Sequence, residues 1–123
     1  MSNLNPDIDL SLLYEIADGN NEFIIESIDM FMQGTPELLR AIDTAISGKD
    51  WATVSSSAHK LKSNLGYFGM PVCHTIIQEI ESIAKSGGPD QASLSAKFDD
   101  VKGRVSANLI ALEKTRQELA AEL

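Results

Sequence analysis

Residues 51–68 read "WATVSSSAHKLKSNLGYF". Trp51, Val54, Ala58, Leu61, Leu65 and Phe68 recur at alternating steps of three and four, the seam of a bundle-packed helix and not the alternation of a strand. At about 100° per residue, His59 points roughly 130° away from the centre of that seam. It therefore faces outward. Its surface neighbours one turn either way are Ser55, Ser56, Lys62 and Ser63, with Ala52 and Gly66 farther along. Apart from Lys62, which is read as exposed, all are small. An ordinary solvated helix face carries long Glu, Lys and Gln side chains, which form helix better than Ser or Gly.

Outward from this stretch, the turn residues divide the chain into helical segments without a convincing strand pattern. Asp50 is a natural N-cap for the helix just quoted. Upstream, Asn5-Pro6 opens a short helix with Ile8, Leu10, Leu12, Leu13 and Ile16, closed at Gly19. A second helix carries Phe23, Ile24, Ile28, Phe31 and Met32 and ends at Gly34. Thr35-Pro36 starts a third, with Leu38, Leu39, Ile42 and Ile46 inward. Downstream, Pro71 starts a helix with Cys73, Ile76, Ile77, Ile80 and Ile83 inward, ended by "SGGPD". The last helix buries Leu94, Phe98, Val101, Val105, Leu109 and Leu112, with Gly103 weakening its middle. The predicted helices are thus 6–17, 21–33, 36–47, 51–66, 71–86 and 90–121. Short connections and one-sided stripes predict an all-α, antiparallel up-down four-helix bundle with the short N-terminal helix covering one end.

The whole chain, 123 residues at 43% hydrophobic content, fits one domain with a real core. Its net charge of −8 disfavours nucleic acid and anionic lipid surfaces, so protein partners are expected. The N-terminus lacks a signal-peptide pattern, and no window approaches the roughly 20 apolar residues of a membrane span. With Cys73 the single cysteine, read as plain core, these features predict a reduced, cytoplasmic protein. A monomer is expected. Two histidines and one cysteine make a poor metal set, and adjacent Cys73 and His74 do not share a helix face; no metal site is expected.

A neutral imidazole cleared of large neighbours is a usable nucleophile that another protein can approach. If His59 took a phosphoryl group, Lys62 one turn on would offset its charge through a hydrogen bond worth ~1.5–3 kcal/mol. The helix pattern alone leaves open an exposed histidine with no task. His74 makes a weaker acceptor, having Ile77 and not lysine three residues on.

The run "AHKLKSNLGYFG", Ala58 to Gly69, resembles the signature of histidine-containing phosphotransfer (HPt) domains, through Ala58, His59, Leu61, Lys62, Ser63 and Gly69. Upstream, Phe31, Thr35 to Leu39 and Asp50-Trp51 are similar to further landmarks of that family. Glu81, in "QEIES", matches a position where the family commonly has Glu or Gln, able to hold the imidazole's tautomer. The resemblance covers about residues 20 to 86 and the last helix in length and pattern only. It implies a phosphorelay intermediate of two-component signalling. His59 would accept a phosphoryl group from the aspartate of a response-regulator receiver domain, or of a hybrid histidine kinase, and pass it to another receiver. Lys62 would stabilise the phosphoryl group and Glu81 orient the ring, with Ser55, Ser56, Ser63, Gly66 and Gly69 as docking surface. The chain would be no ATP-dependent kinase and would need no cofactor, Mg²⁺ belonging to the receiver. Where Ser63 stands the family usually has Gly; serine remains small, and its hydroxyl can donate to a phosphoryl oxygen. The alternative is a phosphorylation-independent bundle that docks and sequesters receiver domains.

Overall fold

The computed structural model describes residues 7–87 and 90–123. Among them are five α-helices and no strand: α1 Ser11–Ala17, α2 Asn21–Ser47, α3 Trp51–Tyr67, α4 Pro71–Lys85 and α5 Gln91–Ala121. Helix α2 packs on α3, α3 on α4, α4 on α5 and α5 back on α2, closing a four-helix bundle, while α1 lies against α2. The predicted seam of α3 is the observed one: Val54, Ala58, Leu61 and Leu65 are fully buried, and Trp51 packs at the edge of the core. Asp50 caps α3 as its sequence suggests, its carboxylate accepting from the Thr53 N–H at 3.2 Å.

Two predicted helices are one. Instead of stopping at Gly34 and restarting at Pro36, α2 runs through both. Pro36 has no N–H for the carbonyl of Met32, and a helical glycine is less favourable than alanine by about 1 kcal/mol. Against these costs stands an unbroken buried stripe of Ile24, Ile28, Phe31, Thr35, Leu39, Ile42 and Ile46, at steps of three and four. Breaking the helix would take half of that stripe out of register with α3 and α5. Packing overrides the local signals.

Phe31 of α2 meets Phe68 at the end of α3, ring centroids 4.4 Å apart. The first ten residues of α2 therefore run past the α3–α4 turn, and α5 accompanies them, with Arg116 paired to Asp29. Helix α1 lies on this overhang and buries Leu13 and Ala17, which is the cover expected at one end. It is shorter than predicted, because residues 7–10 are not helical. Asn5 and Pro6 fall outside the described residues, as do Gly88 and Pro89. Leu12 and Ile16 are about half exposed.

The non-helical segment is held by polar contacts. Buried Asn108 of α5 accepts from the Asp7 N–H at 2.9 Å and donates to the Asp7 carbonyl at 3.1 Å. The Asp7 carboxylate accepts from the Cys73 N–H at 2.9 Å, capping an α4 N-terminus whose own Met70 has no capping side chain. The Asp9 N–H donates to the Gly69 carbonyl at 2.8 Å. These bonds fix the start of α4, the helix that carries Glu81.

Candidate functional site

His59 sits midway along α3 with its side chain 63% exposed. Across from it, Glu81 belongs to the buried face of α4, following Ile77 and Ile80, and its side chain is only 5% exposed. A carboxylate so placed needs partners, since burying an unpaired charge is costly. It has three. Glu81 Oε1 accepts from Lys62 Nζ at 2.7 Å, and Oε2 faces both His59 Nδ1 and Lys85 Nζ at 3.1 Å. The Lys62 hydrogen bond, followed by those from Lys85 and His59, outweighs burial and holds the Glu81 carboxyl down at about 2.

An ionised carboxylate can only accept, so His59 Nδ1 carries the proton and donates to Glu81. In the neutral ring Nε2 then holds the lone pair. Lys62 is not the exposed residue its helix position predicts: the ammonium reaches back to Glu81, leaving the side chain 24% exposed. Geometry from a second helix turned it inward. A lysine ammonium has three donors, and one bond to Glu81 leaves two for an anion beside the ring.

The imidazole borders an open groove of about 700 Å³ between α3 and α4, walled by Trp51, Ala52, Ser55, Ser56, Ala84 and Lys85. Of the predicted docking residues, Ser55 and Ser56 line this groove, and Ser63 and Gly66 are exposed farther along α3. The Ser63 hydroxyl donates to the His59 carbonyl at 3.4 Å, so in this state it serves the backbone. A side chain at Gly66 would meet the ring of His74 at 3.7 Å.

The fifth predicted docking residue, Gly69, carries a structural demand of its own. It has φ +66° in the α3–α4 turn, and a Cβ there would lie 1.8 Å from the Asp9 carbonyl oxygen. Its glycine is required by the turn and the N-terminal segment. Cys73 is core as predicted; burial foremost, then the Asp7 charge, pushes its thiol up to about 12, far from a thiolate at neutral pH.

Lys85 and the groove walls Trp51 and Ala84 were not among the predicted site residues. The signal for Lys85 lies in the i,i+4 spacing from Glu81, which places an ammonium beside a carboxylate on one helix face.

The Glu81 cluster makes stability depend on acid. Its folded-state value lies near 2 against an ordinary 4.5, so its contribution is complete above about 4.5 and disappears as pH falls through about 2. Allowing for solvent screening of exposed Lys85 and His59, we expect a loss on the order of 1–2 kcal/mol across that window. Urea midpoints of wild type and Glu81→Gln between pH 2 and 6 check this: their difference should shrink as pH falls.

A profile of the Hpt domain family matches residues 26–122. A search of proteins of curated function gave no match. Among solved structures, histidine-containing phosphotransfer protein B from Pseudomonas aeruginosa PAO1 is similar at TM-score 0.82 and 20% identity, over 94% of this chain and 98% of that one. The HPT domain of a sensor hybrid histidine kinase from Shewanella is similar at TM-score 0.76 and 25% identity, over 91% of this chain and 95% of that one. With that profile spanning most of the chain, and an imidazole presented from the second helix of the bundle, this protein belongs to the Hpt domain family.

Proposed function

We propose that His59 is the phosphoacceptor of a phosphorelay, taking a phosphoryl group from the aspartate of one receiver domain and passing it to another. HPt domains are phosphocarrier modules that work with receiver domains and histidine kinases, which supports the class of reaction. One observation carries the assignment to this residue: Nδ1 is held by buried, ionised Glu81, while Nε2 has no hydrogen-bond partner among the described residues and His59 borders a groove open to a partner.

In the forward step Nε2 donates its lone pair to the phosphorus of the aspartyl phosphate. The N–P bond forms, the acyl P–O bond breaks, and the receiver's carboxylate leaves with that electron pair. The ring keeps its Nδ1 proton, and Glu81 faces the positive charge that develops there. Lys62 offers its remaining N–H donors to the phosphoryl oxygens. The return step to a second receiver reverses these bonds. Mg²⁺ belongs to the receiver's acidic pocket, and this chain supplies no ATP chemistry. No described helix is long and apolar enough to cross a membrane; we place the protein in the cytoplasm as a monomeric carrier.

The test is transfer from a receiver domain prephosphorylated on aspartate, in Mg²⁺ buffer, read as acid-labile, base-stable phosphate on this chain. Label on wild type supports the carrier. Binding without label across a broad panel of receivers would instead indicate a bundle that docks and sequesters them. Within the same assay, Lys62→Ala should slow transfer about ten- to a hundredfold, the loss of one charge-assisted hydrogen bond to the phosphoryl group. Because Lys62 also satisfies Glu81, that variant should lose about 1–2 kcal/mol of stability, read by urea unfolding. An unchanged transfer rate would remove Lys62 from the mechanism.

A further inference from the structure

A carboxylate on Nδ1 orients the ring but also creates a difficulty: it favours the imidazolium, whose Nε2 proton blocks attack on phosphorus. The difficulty is greater for Glu81 because it is buried, where charges are weakly screened. The charged groups around the imidazole are Lys60 and Lys62 from α3 and Glu81 and Lys85 from α4. Two ammonium groups, not one, bond to Glu81, and Lys85 shares Oε2 with His59 itself. Lys62 has a second task once a phosphoryl group is present. Lys85 is on the same helix as Glu81, one turn on.

We propose that Lys85 is a positioning residue for His59: it holds Glu81 Oε2 toward Nδ1 and offsets the carboxylate's charge, keeping the ring neutral and nucleophilic near neutral pH. The inference rests on His59 as phosphoacceptor for its consequence but not for its first observable. Removing the ammonium leaves Glu81 less compensated and free to favour the protonated ring. Lys85→Met should therefore raise the midpoint of the His59 imidazole titration by roughly half a unit relative to wild type. Phosphoryl acceptance should then fall about threefold well below that midpoint and match wild type well above it. Lys85→Arg keeps a cation at this place and should restore both.

The first measurement is an NMR titration of the ring protons in the unphosphorylated protein, with His59→Gln separating the His59 and His74 signals. A midpoint that rises in Lys85→Met and returns in Lys85→Arg establishes the role. An unmoved midpoint overturns it, as does a rate loss equal at every pH, which is what a purely structural lysine would produce. Should wild type accept no phosphoryl group at any pH, the reading of His59 as acceptor fails, and the titration still decides whether Lys85 governs its protonation.

Discussion

Replacing His59 by glutamine should abolish phosphoryl acceptance and leave the bundle folded. The side chain is largely exposed and fills no core space, so stability should change by no more than about 0.5 kcal/mol. A glutamine amide reaches Glu81 as a hydrogen-bond donor, yet its nitrogen lone pair is delocalised and does not attack phosphorus. Transfer from a phosphorylated receiver should label wild type and not the variant, with matching urea midpoints. Acid-labile phosphate persisting on His59→Gln would locate the acceptor elsewhere, and His74 is the sole other histidine.

Gly69→Ala should have the largest effect on stability, although the residue is only half-buried. Its φ of +66° costs an L side chain on the order of 1–2 kcal/mol. The added Cβ would also overlap the Asp9 carbonyl oxygen, which is backbone and can yield only by moving the whole N-terminal segment. That movement breaks the Asp9–Gly69 hydrogen bond and draws the Asp7 carboxylate from the α4 N-terminus. Together we expect a loss of about 2–4 kcal/mol. Chemical denaturation checks the magnitude. A loss under about 0.5 kcal/mol would mean that the segment relaxes freely and does not brace α4.

The sequence by itself determined the helical class, the buried face of α3 and the outward direction of His59. All three follow from local periodicity: side chains three and four apart share a face wherever the helix is placed. It also showed the small-residue surround of the imidazole, the N-cap at Asp50 and the helix start at Pro71, each of which rests on neighbouring residues alone. Glu81 was legible only through the resemblance to HPt domains, at a position where that family commonly has Glu or Gln.

Only the tertiary structure decided the rest. Gly34 and Pro36 are stop signals by local preference, yet α2 continues because a long stripe must stay in register with two other helices. Lys62 points to solvent by helical geometry alone and turns inward because a buried carboxylate on α4 requires its charge. Gly69 belongs to a turn whose tightness comes from Asp9, sixty residues away along the chain and in contact across space. The joining of His59, Lys62 and Lys85 on one carboxylate depends on the relative placement of α3 and α4. Local patterns record which way each helix faces; the energy of burying and pairing Glu81 depends on what the other helix brings to it.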